Sequence, residues 1–170
     1  MLKFSLIASS IGFVLALIAH IVALIGAFFG YGSSIVSNMI IAMGILVAII
    51  FISLIPLLIE GPLSNDGFTE RIKEEDKLWL YGLSLAMPVY CIGMFFLSSI
   101  LNKHGSPEIF NGQYILAYKG ELIEVLTKSE YIKQMFYSFI GGTSIVIAFY
   151  CVILIEVYLR MKDKVIDEYL

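Results

Sequence analysis

Long uncharged apolar runs alternate with short polar stretches along this chain. Four runs are long enough to matter: Phe4–Phe29, Ile35–Ile59, Leu78–Leu101 and Met135–Leu159. The first three hold no Asp, Glu, Lys or Arg, and the fourth holds only Glu156. A helix crossing the hydrocarbon of a bilayer needs roughly 20 consecutive, mostly apolar residues. The pattern therefore predicts an all-α membrane protein. It has a four-transmembrane-helix bundle over approximately 4–29, 35–59, 78–101 and 128–160, in a single polytopic domain spanning 1–170.

The polar stretch before the last helix breaks this pattern. In NGQYILAYKGELIEVLTKSEY, residues 111–131, two alternating runs flank Lys119-Gly120. Glycine at the second turn position suits a two-residue primed turn. A small extracytoplasmic β-hairpin over 113–126 is predicted between helices 3 and 4, with Tyr118 opposite Glu121, Leu116 opposite Ile123 and Tyr114 opposite Val125. An isolated hairpin is marginal in water, so its more apolar face must lie against something. Tyr114, Leu116, Tyr118, Ile123 and Val125 are the candidate partner contacts. The preceding NKHGSPEIFNG reads as loop, with Gly105, Pro107 and Gly112 as breakers. Thr127 and Glu130 match a capping box, which predicts a helix start near Lys128.

Composition agrees with the pattern. The 170 residues are 59% hydrophobic and 15% charged, with a mean hydropathy of +0.92. Soluble domains run nearer about 45–50% apolar and about 25% charged. The net charge of −3 comes with no basic patch, so nucleic acid is not implied. The first run is longer than a secretory h-region and lacks an A-x-A cleavage site, so it is expected to be a retained first span.

Lys and Arg orient the chain. On the side of the termini and the loop 60–77 lie Lys3, Arg71, Lys73, Lys77, Arg160, Lys162 and Lys164, seven in all. The other side has Lys103, Lys119, Lys128 and Lys133, which is four. By the positive-inside rule both termini and the loop 60–77 are expected in the cytoplasm, with the hairpin outward. If the source is bacterial, the membrane is the inner one. Gly61-Pro62 is expected to end helix 2, Thr69 to cap a short helix over Glu70–Lys77, and Trp79 to lie at the interface. The acidic cluster Glu74–Asp76 reads as a solvated face.

Within the spans, the candidate functional residues are His20, Glu156 and Arg160. Intramembrane ionisable groups are functional candidates by default. His20 lies about 24 Å up helix 1 at about 1.5 Å per residue, level with Met43, Met94 and Thr143. No carboxylate or second histidine shares that level, so a neutral imidazole bonded to Thr143, Ser144 or a carbonyl competes with a proton-relay role. Glu156 lies about 5 Å from the cytoplasmic end of its helix by the same rise, with Arg160 at i+4 to pair it. Cys91 and Cys151 differ in depth by about 8 Å, too far for a disulfide. Small residues at Gly12, Ala16, Ala19, Ala23 and Ala27, then Gly141, Gly142 and Ala148, mark either oligomer contacts or packing within the bundle. Pro56 and Pro88 should bend helices 2 and 3.

No catalytic, cofactor-binding or metal-ligating set appears. The only histidines, His20 and His104, lie on separate elements, which excludes bis-histidine haem ligation in a monomer. No enzyme activity and no cofactor are expected. Four weakly charged spans, cytoplasmic termini and a short polar segment before the last helix resemble the immunity proteins of pore-forming colicins of the colicin A type. That resemblance covers the whole chain as a layout and implies a non-enzymatic protein recognising a toxin at the inner membrane. The expected function is thus an integral membrane interaction protein, either a toxin-immunity protein or an accessory subunit of a membrane complex. Its partners are the lipid bilayer and a protein, or a second copy. The alternative is a channel or transporter subunit.

Overall fold

A computed structural model describes residues 1–29, 33–59 and 78–169. Among these residues four helices and three strands occur in the order α1 (Leu2–Phe29), α2 (Ser33–Ile59), α3 (Leu78–Leu101), β1 (Ser106–Phe110), β2 (Gln113–Tyr118), β3 (Glu121–Leu126) and α4 (Lys128–Tyr169). The fold is mostly helical. Among the described residues α1, α2 and α4 are long and apolar enough to cross a membrane, and Leu85–Leu101 of α3 forms a shorter apolar helix. The first loop's tip and residues 60–77 lie outside the described residues. So do the short helix expected over Glu70–Lys77, the acidic cluster there, and the side chain of Trp79.

α4 is the hub. It packs against α1, α2 and α3, while α1 and α2 also pack on each other. The buried positions of α1 explain how close that packing is: Ser5, Ser9, Gly12, Ala16, Ala23, Gly26 and Ala27 form one small-residue stripe. A Cβ on Gly12 would fall 2.3 Å from the Tyr150 ring, and one on Gly26 would fall 2.4 Å from Phe136. Each glycine is thus a slot filled by an aromatic ring of α4. Small residues let helix backbones approach when hydrophobic force between helices is absent. Tyr150 passes over Gly12 and donates its hydroxyl to the Leu46 carbonyl of α2 at 2.7 Å. One side chain therefore ties three helices. Likewise Gly141 of α4 lies against Ser98 of α3, and Gly142 against Met43 of α2. The small-residue positions are used inside one chain.

The segment before α4 is larger than a hairpin. It is a three-stranded antiparallel sheet in the order β1-β2-β3. The loop expected over 102–112 instead contains β1, paired with β2 from Ser106↔Ala117 to Phe110↔Gln113. Asn111 (φ 49°) and Gly112 (φ 77°) make its turn, and Lys119 (φ 52°) and Gly120 (φ 84°) make the next. Positive φ at both central residues is the primed geometry that matches strand twist. Pro107 is tolerated because β1 is an edge strand.

The register of the second hairpin also differs from expectation. Tyr118↔Glu121 and Ala117↔Leu122 pair as the turn requires, but Leu116 then faces Glu124, Ile115 faces Val125 and Tyr114 faces Leu126. Ile123 is the extra residue of a bulge. The bulge separates Leu116 from Val125, which simple alternation had placed on one face.

The sheet is anchored at both ends. α3 closes with a Schellman arrangement: Lys103 N–H bonds the Ile100 carbonyl at 2.9 Å and His104 N–H bonds that of Ser99 at 2.8 Å. Lys103 occupies the left-handed position, φ 50°, where glycine is usual. At the other end the capping box forms. The Thr127 amide donates to the Glu130 carboxylate at 2.8 Å, and the Glu130 amide donates to the Thr127 hydroxyl at 3.3 Å. Leu126 ends β3 and Lys128 begins α4, so a single residue joins sheet to helix.

Candidate functional site

The deepest polar cluster is built on three helices. Apolar packing forms two clusters, one around Ala16, Ile147 and Tyr150 and another around Ala23, Phe136 and Ile140. His20 of α1 and Thr143 of α4 lie between them in sequence on both helices. His20 Nδ1 meets Thr143 Oγ1 at 2.7 Å, and His20 Nε2 meets the Tyr90 hydroxyl of α3 at 2.8 Å. The Thr143 hydroxyl donates to the Phe139 carbonyl at 2.6 Å. Its one proton is thus committed, so it accepts from His20. That assigns N–H to Nδ1 and leaves Nε2 to accept from Tyr90 O–H. The imidazole is neutral in this arrangement, and both nitrogens are satisfied.

The depth count brings His20 and Thr143 together. Ser144, the neighbouring possibility, instead donates back to the Gly141 carbonyl at 2.7 Å. Tyr90 was not anticipated. It lies one helical turn from Met94, the α3 residue at the counted level. The His20 and Tyr90 rings also meet edge to face, with centroids 5.9 Å apart. His20 is buried at 4% exposure, while Tyr90 remains 43% exposed. The node therefore fastens α3 to α1, two helices whose backbones do not otherwise pack on each other among the described residues.

Glu156 and Arg160 form a separate cluster. Arg160 Nε donates to Glu156 Oε1 at 2.6 Å, and Arg160 Nη1 donates to the Leu57 carbonyl at 3.0 Å. α2 ends at Ile59, so Leu57 is one of the terminal carbonyls that no helix residue can satisfy. The pair therefore works as a side-chain cap on α2. A third set ties the start of α1 to α2: Ser5 Oγ donates to the Ser53 carbonyl at 2.6 Å. Cys91 and Cys151 are buried free thiols. Among the described residues no three His, Cys, Asp or Glu gather to hold a metal.

The third candidate region is the outer surface of the sheet. Leu116 is fully buried and Tyr114 is half-buried, its ring tilted 36° against that of Tyr131 with centroids 4.9 Å apart. These two candidate contacts face the protein's own bundle. Lys103 pairs with Glu124 across the base of the sheet. Exposed instead are Ile109, Phe110, Tyr118, Leu122, Ile123 and Val125, from 43% for Ile123 to 63% for Phe110. Tyr118, Ile123 and Val125 thus remain accessible, and Ile109, Phe110 and Leu122 join them. Glu130, fully exposed ahead of the apolar part of α4, is held below the usual carboxylate range by the Thr127 amide and then by the Thr127 hydroxyl.

No protein-family model, no curated protein and no solved structure matches this chain.

Proposed function

We propose that this chain is a non-enzymatic integral membrane protein that recognises another protein through its outward sheet. In this reading four helices span a bacterial inner membrane and both termini are cytoplasmic. α3 is the fourth span, and the seven-to-four distribution of Lys and Arg sets the orientation. The observation that carries the reading is the sheet itself. It is held by a buried leucine, a tilted tyrosine pair, an ion pair and a helix cap, yet it keeps six large apolar or aromatic side chains exposed. Of these, Phe110, Leu122 and Val125 share by register the face opposite Tyr114 and Leu116, and apolar groups left exposed together on one face are what a binding site presents.

The edges of the sheet support the same reading. β1 carries Pro107, which guards its edge against further pairing. β3, ELIEVL, has neither proline nor lysine, but the bulge at Ile123 and two glutamates blunt its edge as well, which leaves recognition to the exposed side chains. Recognition of a toxin and membership of a larger membrane complex are both versions of this function.

The test is a Leu122→Ser/Val125→Ser double variant expressed in the source membrane. It should keep its helix content and its place in the membrane fraction while losing partner crosslinks from a photoreactive residue at Phe110. Wild-type protein that forms no crosslink from Phe110, Leu122 or Val125, with no phenotype on removing the sheet, would sink the reading. The alternative, a channel or transporter subunit, requires ion flux in proteoliposomes that His20→Ala abolishes.

A further inference from the structure

A groove between α1 and α2 has a polar side chain near one end. It encloses about 370 Å³ and is lined by Leu15 and Val22 of α1 and by Ile35, Ala42 and Leu46 of α2, among other apolar residues. Asn38 lines it too and is exposed. Among the described residues its amide has no hydrogen-bond partner. An amide inside a membrane-spanning helix costs free energy until its donors and acceptor are satisfied.

Two lengths say what satisfies it. Ile35 to Leu46 is about 16 Å of helix, close to one leaflet of a hydrocarbon core of about 30 Å. α2 is 27 residues long, so about 40 Å. If it is centred in the bilayer, about 5 Å projects at each end, and Asn38 falls about 2–3 Å inside the hydrocarbon edge. That is the level of the ester carbonyls of a glycerolipid. A second copy's helix would run along both helices, whereas this groove stops at mid-depth.

We propose that the α1–α2 groove binds one ester-linked phospholipid of the outward leaflet. One acyl chain lies between Val22 and Leu15, and the Asn38 amide donates to the ester carbonyl. The proposal rests on the membrane placement proposed above. The larger α3–α4 groove, about 650 Å³, is lined by Pro88, Phe95, Phe149, Val152 and other apolar residues. Its lining holds no amide or hydroxyl side chain, only the buried Cys91 thiol, a weak donor, and it serves as the control.

The experiment incubates the detergent-purified full chain with a diester phosphatidylglycerol or with its diether analogue. Native mass spectrometry counts lipid retained per chain. Wild type should retain one diester lipid, and about fivefold less of the diether, the ratio one net hydrogen bond provides. Asn38→Leu should erase that preference and Ala42→Phe should remove retention of both, while Val152→Phe changes neither. Equal retention of the two lipids by wild type, a comparison that needs no variant, overturns the proposal. Loss of retention in Val152→Phe overturns it too. A dimer that Asn38→Leu dissolves would assign the groove to a second copy instead. Alkaline carbonate extraction separates the two levels: a chain that washes off membranes fails the membrane reading itself, and an integral chain without lipid selectivity fails this inference alone.

Discussion

The His20 node and the outward sheet handle their side chains in opposite ways. In the node, polar side chains pair with one another and each proton has a destination: Tyr90 to His20, His20 to Thr143, Thr143 to Phe139. In the sheet, apolar side chains are exposed on a firmly anchored frame. The node is closed chemistry: both ring nitrogens of His20 are taken up by Thr143 and Tyr90. The sheet is open surface. This contrast is why the functional reading rests on the sheet and assigns the node to holding helices together.

The comparison predicts graded effects, and the largest lies in neither region but in the packing that supports both. Gly12→Ala drives a methyl into the Tyr150 ring and strains its bond to Leu46. Overpacking of this kind costs about 1–3 kcal/mol, and occasionally more. Thermal unfolding in detergent should fall sharply. Gly44→Ala, with nothing within 4 Å of the added carbon, should be neutral or stabilising by up to about 1 kcal/mol.

Next comes the node. His20→Leu should destabilise by about 1–2 kcal/mol, near the upper range for hydrogen bonds between membrane helices. Tyr90→Phe should cost less alone and nothing further in the His20→Leu background, as a double-mutant cycle would show. Additive losses would break the assignment of one linked node.

Smaller again is the cap. Thr127→Ala should cost about 1 kcal/mol, with faster amide exchange confined to the first turn of α4. Because the Glu130 carboxyl is depressed by Thr127, the stabilisation is present above the ordinary glutamate range. It is lost as pH falls through the lowered folded value, and Thr127→Ala should flatten that acid limb.

The smallest effect on stability belongs to the sheet surface. Leu122→Ser/Val125→Ser should stay within about 0.5 kcal/mol of wild type. A large loss there would mean that the surface is structural, and the contrast with the node would fail.

Much of this was legible beforehand because a few residues carry strong local signals. Uncharged runs announce the apolar helices, and the Thr127–Glu130 spacing announces the start of α4. Counting rise per residue brings His20 to Thr143. The same count reaches Met94 and not Tyr90, which shares its face of α3 one turn away, because rise alone ignores helix tilt and the reach of a tyrosine side chain. β1 was hidden by Gly105 and Pro107, which read as breakers, although Asn111-Gly112 is a stronger primed-turn signal than the Lys119-Gly120 that drew attention. The bulge at Ile123 could not be read from the turn, which sets only the first pairs. The stripe on α1 was visible as small residues. That Tyr150 and Phe136 fill its slots is a three-dimensional fact, and neither ring was marked by spacing or charge.

The hub position of α4 has a consequence for how the molecule is made. Of the four described helices α4 is the last to be synthesised, yet it is the one that packs on all the others. Before it arrives, α1 and α2 can form a hairpin, but α3 has no helix to lie against. Gly12 and Gly26 wait as unfilled slots, and His20 has neither Thr143 nor a positioned Tyr90. The closed bundle therefore cannot exist until α4 is present.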